Sequence, residues 1–396
     1  MSQKRRDRRN RVLRSGESQR KDGRYAYKYV NHLGKPQFVY AWKLVPTDRT
    51  TSGKREGPSL REKERAIQRD IDDGIDHTGA RMTVSQLYAL QTSQRGNVRD
   101  STKVGRRRLA RMLDGDPLGA APIDAVRPCD AKAWAMRMKE RGVAFRTIGN
   151  DKRSLNAAFH TAIENDFVRK NPFDFRLRDV IEDDTKPREP LTPAQEESLL
   201  DFVRRDPTYA KYLDELVILL GTGMRVSELC GLTDADIDLR AGTITIDHQL
   251  LRSTRRGRYI EEPKTESGFR TIPMGGRVRE AFSRVLARRD GTASPTIDGR
   301  TGFLFLDRKG QPRTAGDYAG MFRGLAKKYG KCHDEPLPRM TAHTMRHTFC
   351  TRMANAGMNP KALQYIMGHA NIAMTLDYYA HADLASAIAE MLRLAA

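Results

Sequence analysis

The eight residues HTMRHTFC (343–350) place His343, Arg346 and His347 close together, with no carboxylate among them. On a helix the two histidines would share one face, which is also the spacing of a zinc-binding pair. A metal is disfavoured, because Thr344 stands where a zinc hydrolase needs Glu and the guanidinium would repel a cation. An arginine fork can hold two oxygens of a phosphate, and imidazole exchanges protons near neutral pH. The pattern therefore predicts a phosphate site without a bound metal.

The composition of the chain limits the classes of partner. Of its 396 residues, 71 are Lys or Arg and 50 are Asp or Glu, which gives a net charge of +21. Such an excess favours a polyanion, first of all nucleic acid. An anionic membrane surface is the rival, but the chain has no long apolar run and its N-terminus lacks the apolar core of a signal peptide. We expect a cytoplasmic protein with reduced cysteines, since the four cysteines form no CxxC pair.

The first part of the chain, residues 1–76, is the most basic. Residues 1–55 hold sixteen Lys or Arg and four Asp or Glu. Residues 24–31 and 37–44 alternate in polarity around a turn with Gly34 and Pro36, which predicts a hairpin. Residues 59–76 have apolar residues at helical spacing, and Ser59 is a suitable N-cap. We predict a small α+β domain with a three-stranded sheet and one helix.

The alternation also predicts the two faces of this sheet. The core face would carry Tyr25, Tyr27, Tyr29, Phe38, Tyr40, Trp42 and Leu44. The opposite face would present Arg24, Lys28, Gln37 and Lys43. Because the DNA major groove is wide enough for strands, we predict that these four residues contact DNA. The alternative is a solvated basic face without a partner.

Residues 82–184 have the pattern of helices separated by short polar breaks. Apolar residues recur at helical spacing in four segments, 82–94, 101–113, 127–142 and 145–168. This predicts an all-α domain. Residues 183–193 are polar and rich in proline, as linkers are, and Thr192, Pro193 and Glu196 resemble a helix start. We place a domain boundary near residue 185.

Residues 186–396 combine helices with a few strands. Residues 212–238 have the pattern of an apolar helix, a break at Gly221 and Gly223, and a second helix that begins near Arg225. Residues 242–251 and 269–274 resemble strands, and the basic stretch 253–268 between them, which contains Lys264, is predicted as a turn region. A mixed, mainly α domain with a small β-sheet is expected.

Four residues of this domain would complete a phosphate site: Arg225, Lys264, His369 and Tyr379. They supply a second cation, a proton donor and a nucleophile, which phosphoryl transfer without a metal requires. Each is weak alone, since Arg225 could simply pair with Glu228 and Lys264 could be a solvated loop residue. A histidine after glycine is also more often structural than catalytic. Their order along the chain favours a catalytic site.

In this order the motifs resemble those of the tyrosine recombinase (phage integrase) family. TGMRVSELCGL (222–232) resembles the family's first arginine box, and PKTESGFR (263–270) resembles its lysine hairpin. HTMRHTF (343–349) resembles its His-x-x-Arg box, and MGHANIAMTLDYYAH (367–381) its Gly-His and tyrosine box. The N-terminal part is similar to the arm-binding domain of conjugative-transposon integrases. The resemblance implies three domains: 1–76 for arm-type DNA, 82–184 for the core site, and a tyrosine recombinase catalytic domain, 186–396.

The resemblance also implies how the reaction proceeds. Tyr379 would attack the scissile phosphodiester, giving a 3′-phosphotyrosyl enzyme and a free 5′-hydroxyl. Arg225 and Arg346 would clamp the non-bridging oxygens. Tyr378 is an open alternative nucleophile on physical grounds, and Tyr379 is preferred because the family's tyrosine is commonly followed at the second position by His, as His381 follows here.

The remaining roles implied by the resemblance concern protons. Lys264 would protonate the leaving oxygen, His343 would act as a base toward the tyrosine, and His369 would donate a hydrogen bond to the phosphate. His347 would support packing beside the site, and Glu228 would orient the helix that carries Arg225. Neither ATP, a metal nor another cofactor is expected.

The predicted function is the integration and excision of a mobile element by site-specific strand exchange in the bacterial cytoplasm, at the nucleoid. The implied partners are core-type and arm-type attachment-site DNA, further copies of the chain in a synaptic homotetramer, and a small excisionase. Residues 383–396 carry an apolar helical stripe that packs either within its own domain or, as expected from relatives, on a neighbouring subunit. The alternative functions are DNA relaxation by a type IB topoisomerase and non-enzymatic DNA-binding regulation.

Overall fold

The computed structural model describes residues 5–30, 36–50, 53, 56–72, 82–96, 98–185, 189–289, 294–335, 337–379 and 391–392. The protein divides into two compact units, Met1–Lys186 and Pro187–Ala396. Within the described ranges the first unit contains two separate hydrophobic cores and the second unit contains one large core. Across these same ranges, every helix is too short or too polar to cross a membrane.

The first core lies between a small sheet and one helix. Strands β1 (Glu17–Gln19), β2 (Tyr25–Val30) and β3 (Pro36–Ala41) form an antiparallel sheet in that order. Helix α1 (Leu60–Asp72) packs on it, and Ser59 stands at the N-cap, where its hydroxyl contacts Glu62 at 2.7 Å. The predicted three-stranded α+β domain is confirmed.

The predicted faces of this sheet are wrong for β3. Lys28 pairs directly with Phe38 and Tyr29 with Gln37, and paired residues of an antiparallel sheet share a face. Phe38 and Tyr40 are therefore exposed on the same face as Lys28. Gln37, predicted on the cationic face, lies instead on the face of Tyr29 that carries the core.

The physical reason is that β3 is apolar on both faces. Val39 and Ala41 are small enough to pack with Tyr25 in the core, so the larger rings of this strand remain outside. Lys43 was also predicted on the cationic face, but it follows β3, and its side chain is only 12% exposed in an ion pair with Glu56.

The second core is all-helical, as predicted. Its helices are α2 (Val84–Ser93), α3 (Asp100–Asp114), α4 (Pro117–Ala120), α5 (Pro128–Glu140) and α6 (Phe145–Glu164). Trp134 and Phe159 both pack on Phe173, with ring centroids 5.9 and 5.5 Å apart. Helix α4 was not predicted, because a single turn is too short to show a periodic pattern. Asp116 begins it and forms a 2.6 Å ion pair with Arg137 of α5.

The second unit is mainly helical. Its helices are α7 (Pro193–Arg205), α8 (Leu213–Thr222), α9 (Val226–Gly231), α10 (Gly276–Ala287), α11 (Ala315–Tyr329), α12 (Ala342–Asn355), α13 (Pro360–Met367) and α14 (Ala373–Leu376). Helix α8 is apolar over most of its surface and packs against α10 and α12 in the centre of the core. The helices at this centre carry the site residues at their ends.

Two small sheets accompany these helices. Strands β4 (Ile237–Asp238), β5 (Thr243–Ile246) and β8 (Arg270–Pro273) are antiparallel, and β6 (Gln249–Ser253) pairs with β7 (Gly257–Glu261) as a hairpin. The prediction of a turn over residues 253–268 is therefore wrong in part, because it contains β7. Arg255 and Arg256 at the tip made the stretch look like a loop, whereas Tyr259 is buried in the hairpin.

The start of the second unit follows the predicted pattern, with a different capping partner. Thr192 caps α7 in a capping box with Gln195, and Pro193 occupies the first turn. Glu196, which was predicted as part of this start, instead binds Arg352 of α12. The predicted C-terminal packing segment, 383–396, lies outside the described residues except for positions 391 and 392.

Candidate active site

Arg225 lies at the joint between α8 and α9. Helix α8 ends at Thr222, and Gly223 follows with a φ of +63°, a conformation that favours glycine. A Cβ at Gly223 would also lie 2.4 Å from the ring of Phe349. The joint therefore requires glycine, and it places Arg225 at the N-cap of α9 with a side chain that is 39% exposed.

Glu228, in the first turn of α9, holds Arg225. Its carboxylate accepts hydrogen bonds from the backbone N–H and from Nη1 of Arg225, both at 2.7 Å. The Nη2 of Arg225 donates to the carbonyl of Gly368 at 2.8 Å. Arg225 thus pairs with Glu228, as the simpler alternative held, but it also reaches the C-terminal end of α13.

Arg346 on α12 is buried and is bonded to the same region. Its Nη1 donates to the carbonyl of Gly223 at 2.7 Å, and its Nη2 donates to the carbonyl of Met367 at 2.5 Å. Because Met367 and Gly368 are consecutive, the guanidiniums of Arg225 and Arg346 lie side by side at the end of α13. Helix C-termini carry partial negative charge, which favours cations. The predicted convergence of these two arginines is therefore confirmed.

A third arginine, Arg270 on β8, is completely buried beside them. Its Nη1 and Nη2 donate to the carboxylate of Glu228 at 3.1 and 2.7 Å, and its Nε donates to the carbonyl of Ile366 at 2.7 Å. Arg270 was not predicted as a site residue, because arginines are rarely buried. The available signal was the alternation of FRTIPM (269–274), which puts Arg270 on the face of the buried Ile272.

The three arginines carry more positive charge than Glu228 compensates. Burial acts to raise the pKa of Glu228, but the guanidiniums of Arg270 and Arg225 outweigh burial and hold that pKa below its ordinary value. Burial, followed by the charge of Arg225, lowers the pKa of Arg346 to about 10. Arg346 therefore remains cationic at neutral pH, and three guanidiniums around one carboxylate suit an anion.

His369 follows Gly368 at the end of α13 and is buried. Its Nδ1 lies 2.9 Å from the hydroxyl of Thr375. Burial, and then the charges of Arg346 and Arg225, lower the pKa of His369 to about 4. The imidazole is therefore neutral at physiological pH, and it can donate a hydrogen bond without adding charge.

The histidines of α12 lie at the same end of the second unit. His343 is exposed, and it contributes to the lowered pKa of His369, so the two imidazoles lie in the same region of the unit. The ring of His347 packs against Tyr378, with centroids 5.0 Å apart. The structure thus supports a packing position for His347.

The two adjacent tyrosines have different surroundings. The hydroxyl of Tyr379 donates to the backbone carbonyl of Met358 at 2.5 Å, and burial raises its pKa. Tyr378 lies near enough to Arg346 to influence the pKa of that arginine. The structure therefore brings Tyr378 to the arginine cluster and holds the Tyr379 hydroxyl on a backbone carbonyl.

Lys264 is exposed on the turn between β7 and β8. This turn is tight, because a Cβ on Gly268 would lie 2.3 Å from the ring of Pro263. Arg270 Nη1 donates to the carbonyl of Gly268 at 3.1 Å, which ties the turn to the arginine cluster. Lys264 thus projects from a loop whose base is anchored beside Glu228.

Comparisons with known proteins identify the family. The model described as the phage integrase family matches residues 189–385, and the model described as the DNA-binding domain of Tn916 integrase matches residues 1–71. The transposase from transposon Tn916 of Enterococcus faecalis is 58% identical over 394 residues, which cover 100% of this chain and 97% of that protein. The chain belongs to the phage integrase family.

Solved structures agree with this assignment. One structure of Tn1549 transposon integrase, with a circular intermediate DNA, is 61% identical with a TM-score of 0.76, covering 79% of this chain and 99% of that one. Another, in complex with transposon right end DNA, is 62% identical with the same TM-score of 0.76, covering 80% and 100%. This integrase is a tyrosine-type site-specific DNA recombinase for the integration and excision of a mobile element. DNA is its partner, and the topoisomerase and regulator alternatives are set aside.

One group of possible metal ligands lies elsewhere in the described part of the integrase. Asp236, Asp247 and His248 bring their ligand atoms within 4.8 Å of one another. Their atoms already have partners, since His248 Nε2 contacts the carbonyl of Gly231 at 2.8 Å and Asp247 accepts from Arg300 at 2.8 Å. This group is accounted for by internal hydrogen bonds.

The exposed face of the N-terminal sheet combines cations with aromatic rings. The guanidinium of Arg24 lies 5.5 Å from the ring centroid of Tyr40, and the ammonium of Lys28 lies 6.0 Å from that of Phe38. Arg20 also lies over Tyr40, at 5.2 Å. Of the four residues predicted to contact DNA, the integrase therefore presents Arg24 and Lys28 on this face, beside Arg20 and the rings of Tyr40 and Phe38, which were not predicted there.

Proposed function

We propose that this recombinase cleaves DNA with Tyr379 as the nucleophile, in a site formed by Arg225, Arg346, His343, His369 and Lys264. The observation that carries the proposal is the pair of guanidiniums bonded to the consecutive carbonyls of Met367 and Gly368. Two adjacent cations beside a neutral imidazole suit one phosphodiester. The product is a 3′-phosphotyrosyl linkage with a free 5′-hydroxyl.

Arg225 and Arg346 stabilise the charge that develops on the non-bridging oxygens. Both are held by backbone carbonyls before DNA binds, so little reorganisation is needed during the reaction. Loss of one such donor costs about 3 kcal/mol in the barrier. Glu228 fixes Arg225 without quenching it, because its carboxylate is shared with Arg270.

The protons are assigned to three further residues. His369 donates a hydrogen bond to the phosphate as a neutral imidazole, which requires the proton on Nε2 while Nδ1 accepts from the Thr375 hydroxyl. The exposed His343 takes the proton of the attacking tyrosine. Lys264, at the tip of its anchored turn, protonates the leaving 5′ oxygen.

The choice of Tyr379 over Tyr378 has independent support. One of the solved Tn1549 integrase structures carries Y379F and another carries R225K, and this chain has Tyr and Arg at the same numbers. In the present structure the Tyr379 hydroxyl is bonded to Met358. Attack on phosphorus requires that this bond be exchanged for one to a base.

The reaction conserves the energy of the DNA backbone. A phosphodiester becomes a phosphotyrosine ester, and a 5′-hydroxyl of the partner strand then reverses the step, so neither ATP nor another cofactor is needed. The cation cluster, with its excess positive charge, takes the part that a metal has in other phosphoryl transfers. We therefore expect cleavage in the presence of a chelator.

We further propose the division of labour among the domains. Residues 1–76 bind arm-type sites, residues 82–184 bind one side of the core site, and residues 186–396 bind the other side and cleave. The functional unit is a homotetramer on two core sites, with residues 383–396 packed on a neighbouring subunit, and an excisionase assists excision. A recombinase that acts on chromosomal DNA works at the nucleoid.

A nicked attachment-site duplex tests the proposal directly. Cleavage beside the nick releases a short strand, so the covalent complex cannot religate and accumulates. We expect a denaturant-resistant protein–DNA adduct with a chelator present, and none with Tyr379→Phe. A mobility shift without an adduct would contradict the proposal, and so would relaxation of plasmids without strand exchange.

A further inference from the structure

Three consecutive carbonyls at the end of α13 each accept a hydrogen bond from a different arginine. Ile366 accepts from Arg270, Met367 from Arg346 and Gly368 from Arg225. The proposed function uses the second and third of these arginines. Arg270 is completely buried and cannot touch DNA, so it needs a different explanation.

Arg270 is the point where three separate segments of the second unit meet. Its Nη1 and Nη2 hold both oxygens of Glu228 on α9, at 3.1 and 2.7 Å. Its Nε holds the carbonyl of Ile366, and its Nη1 also holds the carbonyl of Gly268 at 3.1 Å. Each of these partners lies within a few residues of a proposed catalytic group.

We propose that Arg270 is a positioning residue for strand cleavage. It fixes the turn that carries Lys264 and the turn that carries His369 in place relative to Arg225. The inference rests on the roles proposed above for those three residues. It adds a buried group that contacts neither DNA nor the reacting atoms.

The charge on Arg270 determines how far Glu228 neutralises the charge of Arg225. Glu228 accepts from Arg225 and from Arg270 at once. With Arg270 in place, the carboxylate is shared between two guanidiniums, and Arg225 keeps net positive charge for the phosphate. Without Arg270, Glu228 would bind Arg225 alone and cancel its charge.

The geometry on the Lys264 side is equally restricted. Gly268 closes the turn against Pro263, and its carbonyl points to Arg270. Because Lys264 lies between Pro263 and Gly268, a displacement of this anchor moves the ammonium away from the leaving oxygen. General acid catalysis depends on hydrogen-bond reach, so the rate responds to small shifts.

The geometry on the His369 side depends on Gly368. This residue has a φ of +60°, and an added Cβ would lie 3.0 Å from Arg270 Nη1. The turn that delivers His369 is thus packed directly on the Arg270 guanidinium. Lysine could not replace it, because one ammonium cannot span Glu228, Ile366 and Gly268 in the planes that a guanidinium occupies.

The test uses the full chain with Arg270→Lys and Arg270→Met. Arg352→Met is the matched control, because Arg352 on α12 also binds both oxygens of a glutamate, Glu196, and one helix carbonyl, that of Leu220. Three quantities are measured for each variant. They are the unfolding midpoint, the affinity for a core-site duplex, and the single-turnover rate of adduct formation at saturating protein.

We expect both Arg270 variants to lose about 100-fold in the single-turnover rate, with affinity for the duplex within about threefold of wild type. Arg352→Met should lower the unfolding midpoint and leave the rate per folded molecule unchanged. Arg270→Lys keeps the buried charge, so it provides a folded protein if Arg270→Met is too unstable. A control that loses as much rate as the Arg270 variants would overturn the proposal.

A substrate with a sulfur in place of the leaving 5′ oxygen separates positioning from general damage. A thiolate leaves without being protonated, so this substrate bypasses the acid. The deficit of Arg270→Lys should shrink by about tenfold or more on it, as should the deficit of Lys264→Ala. An equal deficit of Arg270→Lys on both substrates would overturn the positioning of Lys264 through Arg270.

The same assay tests the proposed function independently of the proposed role of Arg270. Adduct formation by Tyr379→Phe would reject the proposed nucleophile whatever the Arg270 variants do. A Lys264→Ala deficit that persists on the sulfur substrate would reject Lys264 as the acid. An Arg270→Lys variant with wild-type rates on the oxygen substrate would reject the positioning role alone.

Discussion

Arg346 illustrates how a buried charge is kept available for an external ligand. Its guanidinium is bonded to the carbonyls of Gly223 and Met367, which have no formal charge to cancel it. Burial lowers the pKa of Arg346 to about 10, yet the group remains protonated at neutral pH. Carbonyl partners therefore orient the arginine and leave its charge uncompensated, as the proposed phosphate contact requires.

Burial and this charge together shift the titration of His369. Its pKa falls from 6.5 to about 4 because of burial and the nearby arginines. Between these values the unfolded chain binds a proton that the folded chain does not, so stability is complete above pH 6.5 and is lost as the pH falls toward 4. The difference amounts to about 3 kcal/mol, since one pKa unit is worth about 1.4 kcal/mol.

We therefore predict that His369→Gln has a flatter stability profile than wild type. Urea unfolding between pH 4 and pH 7.5 should show that wild type loses about 3 kcal/mol more than the variant. Other acidic and histidine groups titrate equally in both proteins, so they cancel in the comparison. Parallel profiles would mean that His369 keeps an ordinary pKa in the folded state.

At the scale of elements, the joint between α8 and α9 determines where Arg225 can be. Gly223 needs a positive φ, and its neighbours Phe349 and Met367 leave no room for a side chain. Gly357, after α12, has a φ of +76° but lies in open space. A side chain at Gly357 would therefore cause backbone strain alone, whereas a side chain at Gly223 would cause both backbone strain and a steric clash.

We predict that Gly223→Ala is much more damaging than Gly357→Ala. The control, Gly357→Ala, should lower the free energy of unfolding by about 1 kcal/mol, because it introduces backbone strain alone. Gly223→Ala should cost about 2 kcal/mol more, because overpacking moves Phe349 or the joint, and it should also slow adduct formation. Equal costs and equal rates for the two variants would show that the joint tolerates a side chain.

The sequence predicted these elements correctly where only one arrangement of the apolar residues fitted the periodic pattern. Helices α8 and α9 and the joint between them were predicted, because Gly223 interrupts an apolar run shortly before Arg225. The sequence did not predict which face of β3 packs on the core. Phe38 and Tyr40 alternate as regularly as Val39 and Ala41, and only the register with β2 decides between the two pairs. Strand alternation cannot choose a core face when both faces are apolar.

For the candidate site, the sequence predicted that Arg225 and Arg346 meet but not how they are held. The convergence of Arg225 with Arg346 followed from ordered motifs. The role of the α13 carbonyls could not be foreseen, because backbone groups leave no trace in residue types. Arg270 was missed for a related reason, since its function depends on burial that a four-residue strand does not reveal.

At the scale of the whole molecule, the proposed arm-site surface and the proposed cleavage site belong to separate hydrophobic cores. The N-terminal sheet exposes its aromatic and basic face and packs its other face on a core of its own, while the arginine cluster is supported by the core of the second unit. Substitutions on the sheet face should therefore change arm-site binding without changing the chemistry at the core site.

We predict that Lys28→Gln weakens binding of the full chain to arm-type DNA and reduces the slope of log affinity against log salt by about 1. Gln37→Ala is the matched control, because Gln37 neighbours Phe38 but faces the core side of the sheet. It should leave the salt slope unchanged. A larger loss for Gln37→Ala than for Lys28→Gln would mean that DNA contacts the other face.

Identification of the residue that becomes bonded to DNA is the most direct test of the proposed mechanism. Wild-type protein should be trapped on a nicked core-site duplex, digested, and the peptide bearing the residual nucleotide sequenced by mass spectrometry. We predict the nucleotide on Tyr379, attached through the 3′-phosphate and formed in the presence of a chelator. A nucleotide on Tyr378, attachment through a 5′-phosphate, or an adduct that requires a divalent ion would contradict it.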